Sequence, residues 1–441
     1  MLQKEALDIM KMGYNVYLTG EAGTGKTYVL IKYLNFLKDK QIPTAITAST
    51  GIAATHLDGV TIDSWSGLGI RESISSDDLK LLKTKYHLVK RLRRAKILVI
   101  DEISMIHGLR FDAIDRILRN IRDDSAPFGG LQVILSGDLF QLPPVTYDKQ
   151  NIDFIFKSTA WQDLNLRICY LHEPKRHNKD HELLTILNQI RHNQVNNEVL
   201  VLLNNIMEKS DNRSYFQTKL YTHNVDVDNI NQKELDKISN EPHIHYMVAV
   251  GNESLTDMMK RTCLAPEKLE LKKGAFVMFV KNNYNKGYVN GTLGRVISFD
   301  KNDDPIVESL SKKRITVEPE SWTITDDNKI IAQITQIPLR LAWAITVHKS
   351  QGMTLDSAEI DLSRSFIEGM GYVALSRVKS LKGLRLLGIN QMALRVNPEV
   401  SEFDRHLDKL SIETARNLKK MGWIGRYIKK CKYMYKLTSS K

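Results

Sequence analysis

The chain has 441 residues, 42% of them hydrophobic, which is enough for about three domains and for a core that needs no disulfide or metal staple. Lysine and arginine (63) exceed aspartate and glutamate (51) by 12, so the surface attracts a polyanion. No apolar run approaches the roughly 18 residues of a membrane-spanning helix, Met1-Leu2-Gln3-Lys4-Glu5 opens no signal peptide, and the distant Cys169, Cys263 and Cys431 fit neither a disulfide framework nor a CxxC-type zinc site, so a cytoplasmic location is expected.

Over the first 145 residues short apolar strands alternate with helices. Strands are predicted at 15–19, 44–48, 97–100 and 133–135, and a helix at 28–37. Continuous apolar strands suit a parallel sheet covered on both faces, and the alternation implies a doubly wound α/β domain. A second α/β region begins near Leu171, with a helix at 181–191 and a strand at 219–222, and resumes at 342–347 and 372–375. Between its parts, β-rich runs at 275–280, 294–297, 314–317 and 322–324, with the turn signal Asn290-Gly291, predict a small inserted β-barrel.

Two segments are strongly basic. Residues 79–96 carry eight basic and no acidic side chains, and residues 414–441 carry nine and none. Each reads as a polyanion-attracting patch or as a solvated helix face. In the second, Trp423, Tyr427, Tyr433 and Tyr435 suit stacking on bases, or one apolar helix face that packs on the second α/β domain through Trp423, Ile424, Tyr427 and Ile428.

Gly20-Glu21-Ala22-Gly23-Thr24-Gly25-Lys26-Thr27 has the GxxxxGK[ST] spacing of a phosphate-binding loop, and it lies between a predicted strand and a predicted helix. Its glycines let backbone amides turn inward, Lys26 reaches the β- and γ-phosphates, Thr27 offers a hydroxyl to Mg²⁺, and the helix adds its positive end. Asp101-Glu102 ends the strand at 97–100, where Asp101 can hold Mg²⁺ and Glu102 can polarise an attacking water, which points to ATP hydrolysis. The loop Gly137–Val145 presents Gln141, which either senses the γ-phosphate or stands solvated in a proline-stiffened loop. His177 and His181 are four apart, with no third ligand close by, which argues against a metal site.

In chain order, the phosphate loop, Ala48–Ala54, Asp101–Met105, Gly137–Val145, Ala342–Thr354 and Tyr372–Arg377 resemble the motifs of superfamily 1 helicases. Ile114–Val133, with its Ala126-Pro127-Phe128-Gly129-Gly130, resembles the signature stretch of the Pif1 subgroup, and Tyr288–Gly294 resembles that subgroup's β-rich insertion. The resemblance covers residues 1 to about 390. It implies an α/β fold of two RecA-like P-loop motor domains, at 1–170 (with a small insertion near 62–96) and at 171–267 plus 336–395. An SH3-like insertion at 268–335 and a helical basic tail at 396–441 complete the expected organisation.

The same resemblance implies an ATP- and Mg²⁺-dependent helicase that moves 5′ to 3′ on single-stranded DNA and at DNA forks, as a monomeric motor with no membrane partner. Related RecD-like or Dda-like helicases, or a translocase that unwinds poorly, are the alternatives. Lys26, Asp101, Glu102, Gln141, Arg176 and Arg377 are the implied catalytic residues. Among them Gln141 is the γ-phosphate sensor and Arg377 the arginine finger, with Arg176 a second γ-phosphate arginine; the family usually has Gln where His177 stands. Nucleotide contacts are implied for Gln3 (at the adenine edge), Gly20, Gly23, Thr24, Gly25, Lys26, Thr27, Tyr28 and Gly352, with Mg²⁺ on Thr27 and Asp101. Thr50, Gly51, Ile52, Ser64, Trp65, Pro144, His348, Lys349 and Ser350 are the implied DNA contacts, although Trp65 reads equally well as core and the family often has His where Asp63 stands.

Overall fold

In the computed structural model, six apolar runs of the N-terminal region become strands of one parallel sheet: β1 (Val16–Gly20), β2 (Thr44–Ala48), β3 (Val60–Thr61), β4 (Ile97–Asp101), β5 (Gln132–Ser136) and β6 (Arg167–Leu171), in the order β3-β2-β4-β5-β1-β6. The structure describes all residues except 56, 70, 145–151, 174–179, 209–217, 222–226, 284, 327–328, 348–349, 351–352 and 440–441. The chain divides into two units, Met1–Asn178 with Pro398–Lys441, and Lys179–Asn397.

β1, β4 and β5 are buried along their whole length, which is why their sequences run apolar without alternation. Around the sheet lie α1 (Gln3–Lys11), α2 (Lys26–Asp39), α3 (Gly51–Thr55), α4 (Ile62–Ser66), α5 (Ser76–Thr84), α6 (Tyr86–Arg94), α7 (Gly108–Arg122) and α8 (Thr159–Asp163). Much of the basic run at 79–96 faces inward or is paired. Lys83 and Arg93 both reach Asp123 (3.1 and 2.6 Å), and Arg91 donates to the carbonyls of Ser64 and Trp65 (2.5 and 3.0 Å). The stretch 114–133 is a brace. Asp115 accepts from the Phe128 amide (2.6 Å) and pairs with Arg119 (2.7 Å), while Arg122 donates to the carbonyls of Gly129, Leu92 and Ala95.

The second unit contains α9 (His181–Arg191), α10 (Asn197–Glu208), β7 (Thr218–Tyr221), α11 (Val227–Asp236), β8 (Pro242–Tyr246), β9 (Val248–Gly251), α12 (Glu253–Thr262), β10 (Lys268–Lys272), β11 (Phe276–Phe279), β12 (Leu293–Phe299), β13 (Pro305–Ser309) and β14 (Arg314–Thr316). It continues through β15 (Glu320–Asp326), β16 (Lys329–Gln336), β17 (Leu339–Leu341), β18 (Ala344–Thr346), β19 (Ala358–Leu362), α13 (Met370–Leu375) and β20 (Leu384–Ile389). β18-β7-β19-β20 form a parallel sheet, and β14-β13-β12-β11-β17 an antiparallel one whose core includes Val277, Phe279, Tyr288, Val296 and Val307. β8, β9 and β17 extend the β-rich part beyond 268–335, because β8 pairs with β10 and β9 with β16.

The C-terminal segment differs most from its expected form. α14 (Pro398–Lys420) and α15 (Gly422–Ser439) belong to the first unit rather than forming a separate tail. α14 covers the edge strand β6: the Tyr170 amide donates to Ser411 Oγ (3.0 Å), and its hydroxyl donates to Asp404 (3.0 Å). α15 returns across α1. Lys430 pairs with Asp8 (2.5 Å), Lys429 donates to the Tyr14 hydroxyl (2.5 Å), and the Tyr433 hydroxyl donates to Gln132 Oε1 (2.8 Å). Gly13 has φ +84°, and any Cβ there would run into the Tyr433 ring. The packing face is thus Lys429, Lys430, Tyr433 and Met434, while Trp423, Ile424, Tyr427 and Ile428 are exposed. Asp8, Tyr14 and Gln132 supply polar partners for Lys430, Lys429 and Tyr433, beside the apolar contacts of Met434 and Leu437.

Candidate active site

The phosphate loop joins β1 to α2. Gly25 caps α2 in a left-handed conformation (φ +88°) that only glycine adopts readily, and a Cβ there would collide with the Gln3 amide. Gln3 Nε2 donates to the Thr24 carbonyl (2.9 Å), so α1 fastens the loop from outside. Lys26 Nζ donates to the carbonyls of Gly20 (2.8 Å) and Glu21 (3.1 Å), which folds the ammonium over the loop mouth. The opening amides of α2 have no acceptor within their own helix, as an anion site requires. Thr27 and Tyr28 are exposed on that first turn, and Lys32 Nζ lies 4.4 Å from the Tyr28 ring centre.

Asp101 ends β4 and is 7% exposed. Burial pushes its carboxyl above the usual range, against the pull of the Ser136 hydroxyl, the Glu102 amide and the Lys26 ammonium. Glu102 follows in a left-handed conformation (φ +51°). Ser49 holds both residues: its amide donates to the Asp101 carbonyl (3.1 Å) and its hydroxyl to the Glu102 carbonyl (2.6 Å). The β2–β4 register, Ala48 opposite Asp101, brings the two motifs together. Ser49 lies inside a recognised motif, but nothing in its local sequence names its partner.

Gly137 follows β5, and a Cβ there would come within 3.0 Å of the Ile103 amide nitrogen, so the third motif touches the second. Gln141 is 6% exposed, and its Oε1 is buried with no hydrogen-bond partner among the described residues; Ser104 Oγ is another such atom. A buried acceptor without a donor fits a water molecule or a ligand group placed there.

The expected strand contacts divide. Thr50 Oγ1 accepts from the Ala53 amide (3.2 Å) and caps α3, which begins at Gly51. Ser64 and Trp65 lie on α4 with their carbonyls clasped by Arg91; Trp65 is buried, so its ring is core, and Pro144 is buried as well. Asp63 pairs with Arg110 (2.6 Å), a structural tie. In the second unit Ser350 is buried, its hydroxyl donating to the Val347 carbonyl (2.8 Å). Arg377 is 2% exposed; its Nε donates to the Val373 carbonyl (2.9 Å) and its Nη2 to Ser376 Oγ (2.8 Å). Arg176, His177, His348, Lys349 and Gly352 lie outside the described residues, as does the Ile52 side chain. Among the described residues no group of three or more His, Cys, Asp or Glu side chains could hold a metal ion, and no helix is long and apolar enough to cross a membrane.

Residues 3–200 match the family model of PIF1-like helicases, and residues 254–299 match that of the 2B domain of DNA helicase Pif1. The chain is 41% identical to the ATP-dependent DNA helicase Pif1 of Psychrobacter sp., over 94% of its own length and 72% of that protein's. The chain belongs to the PIF1-like helicase family. This helicase is also similar to solved Bacteroides Pif1 structures. One, in complex with ADP-AlF4, has a TM-score of 0.79 at 33% identity, with 92% of this chain and 96% of that one covered. Another, bound to ssDNA, has a TM-score of 0.63 at 33% identity, with the same coverages of 92% and 96%. The helicase spans 62% of the length of its Homo sapiens relative and 92% of its Bdellovibrio bacteriovorus relative. It is an ATP-dependent DNA helicase with a RecA-like parallel-sheet core.

Proposed function

We propose that this helicase uses ATP hydrolysis to move 5′ to 3′ along single-stranded DNA and to unwind duplex ahead of it. One observation carries the coupling of the two activities. Ser49, the neighbour of Thr50 and Gly51, is bonded to the carbonyls of both Asp101 and Glu102, so a strand gripped at 50–51 pulls directly on the hydrolysis pair. Lys26 and the loop amides bind the β- and γ-phosphates. Thr27 and Asp101 are the residues that would hold Mg²⁺, which when bound neutralises phosphate charge. Asp101 fits that role, since its buried carboxyl already lies within the influence of Lys26. Glu102, set in its turn by Ser49, orients the attacking water, and Gln141 Oε1 accepts a hydrogen bond from it. Arg377 and Arg176 are assigned the charge that develops on the γ-phosphate. Gln3 and Tyr28 flank the loop on the side suited to the adenine.

Both α/β units come from one chain, which supports a monomeric motor. The free Cys169, Cys263 and Cys431 support a reducing, cytoplasmic setting. The test is strand displacement with ATP on duplexes carrying a 5′ or a 3′ single-stranded tail. Unwinding of the 5′-tailed duplex alone is expected. Unwinding of the 3′-tailed duplex alone would reverse the direction, and DNA-stimulated ATP turnover with no displacement would leave a translocase.

A further inference from the structure

Gln132 opens β5 with its side-chain amide fully used. Its Oε1 accepts from the hydroxyls of Tyr33 (2.7 Å) and Tyr433 (2.8 Å), and its Nε2 donates to the carbonyls of Met10 (2.9 Å) and Tyr14 (2.7 Å). Two N–H groups and a carbonyl oxygen with two lone pairs are all that a carboxamide offers. The residue is 6% exposed, so each of these partners stands in for water. Four segments meet at this one side chain. Tyr33 belongs to α2, which opens at Lys26; Met10 and Tyr14 are the end of α1 and the turn after it; Gln132 begins the strand that leads to Gly137; and Tyr433 comes from α15.

α15 clamps the same end of α1 at two further points. Lys430 pairs with Asp8 (2.5 Å), and Lys429 donates to the Tyr14 hydroxyl (2.5 Å) with its ammonium 3.9 Å from that ring's centre. The Tyr433 ring fills the space that a side chain on Gly13 would take. Gln3 stands at the opposite end of α1, about 10 Å along the axis from Met10. There its Nε2 donates to the Thr24 carbonyl (2.9 Å) and sits where a Cβ on Gly25 would be. A helix of about two and a half turns moves as a rod, so a shift at the clamped end is carried to Gln3 and from there to the two loop residues before Lys26. A displacement of about 1 Å takes the 2.9 Å bond of Gln3 out of hydrogen-bonding range.

We propose that α15 is a positioning element of the nucleotide site: it holds the far end of α1 through Tyr433, Lys429 and Lys430, and so sets Gln3 against the phosphate loop and raises the affinity for ATP. The positioning rests on the assignment of Gln3 to the nucleotide site made above. Tyr433 is a positioning residue, because it bonds Gln132 and packs on Gly13 rather than on the loop. Asp101 and Glu102 are held from Ser49 instead, so turnover at saturating ATP does not depend on the clamp.

The test measures DNA-stimulated ATP turnover of the full chain and its variants well below their melting temperatures, with melting followed for each. Tyr433→Ala should raise KM for ATP roughly tenfold, the scale of one lost hydrogen bond, with kcat changed by less than about twofold. Tyr433→Phe keeps the ring on Gly13 and should restore most of the affinity. Lys430→Ala leaves the Tyr433 seat in place and should give a smaller rise in the same direction, which keeps the test open if Tyr433→Ala does not fold. Gln3→Ala should raise KM by itself, and Tyr433→Ala should add little in that background, because both changes break the same tie. A lowered melting temperature with unchanged KM in Tyr433→Ala and Lys430→Ala overturns the proposal and leaves α15 a cover for α1. Full additivity of Gln3→Ala and Tyr433→Ala overturns it as well, since α15 would then act by another route. A Gln3→Ala chain with normal KM would instead sink the assignment of Gln3 beneath it, and the proposal with it.

Discussion

The two α/β units hold their key cations in opposite ways. Lys26 in the first unit stands on a glycine-bent loop with its ammonium against two backbone carbonyls, partners that a phosphate displaces because an ion pair is stronger than an ion–dipole contact. Arg377 in the second unit is buried at the end of α13 and bonded to Val373 and Ser376. To meet a phosphate, the first cation would need to move only its tip, whereas the second would have to give up its bonds to Val373 and Ser376. On the roles proposed above, the phosphate-binding cation rests in an open loop of the first unit, and the arginine assigned to hydrolysis rests bonded to its own helix. ATP turnover without DNA is expected to be low for that reason.

Four changes break or sharpen that contrast. Lys26→Ala should lower ATP turnover by a factor on the order of 10³ or more while single-strand affinity stays close to that of the unaltered chain. Near-normal turnover would remove the phosphate-loop assignment. Arg377→Ala should lose hydrolysis by about 10³ in single-turnover measurements and keep most of its ATP affinity, since the resting guanidinium faces its own helix. A large loss of affinity with normal turnover would give the two cations each other's roles.

Asp101→Asn should also lose turnover, with an opposite effect on stability. The folded-state pKa of Asp101 is raised by burial, so its ionisation costs stability progressively as pH rises through that value. Without Mg²⁺ the variant should therefore melt above the unaltered chain at pH 7, and the gap should close toward acid pH. A gap that widens toward acid pH would contradict the burial argument. The smallest effect is expected from Gly13→Ala, at about 1–3 kcal/mol of destabilisation in urea, because the new methyl meets Tyr433 on a left-handed backbone. Adding Tyr433→Ala should recover part of that loss, and strict additivity would show that the two residues do not meet.

The first unit was readable because its sheet is buried on both faces, so β1, β4 and β5 each appear as an unbroken apolar run ending in a motif. The loop conformation followed from its glycines in the same way. Long-range polar ties left no such trace. Gln132 looks like an unremarkable polar residue opening β5, yet it accepts from both Tyr33 and Tyr433 and donates to the carbonyls of Met10 and Tyr14. Its partners are set by the fold, not by any local pattern. The periodicity of α15 was legible, but its direction was not. A 3.6-residue period shows that a helix has an apolar face and does not show which face is covered, and here Tyr433, Met434 and Leu437 face the core together with Lys430, whose partner Asp8 is 422 residues away. Trp65 resolved toward the core for a similar reason, since Arg91 pins its carbonyl from α6.

The grip of α15 on α1 also sets an order in time. α15 is synthesised after α1, with 422 positions between the partners of the Asp8–Lys430 pair. At about 5–20 residues per second, α1 waits roughly 20–80 seconds for its outer cover. During that interval the strands of the first sheet are available, and so is every motif of the phosphate loop, but Gly13 and Gln132 face water and the helix bearing Gln3 is held from one side only. Nascent chains stalled before and after α15 should therefore differ in protease cleavage near residue 13. α15 closes over α1 long after the phosphate loop has been made, so the helix that bears Gln3 gains its outer support late.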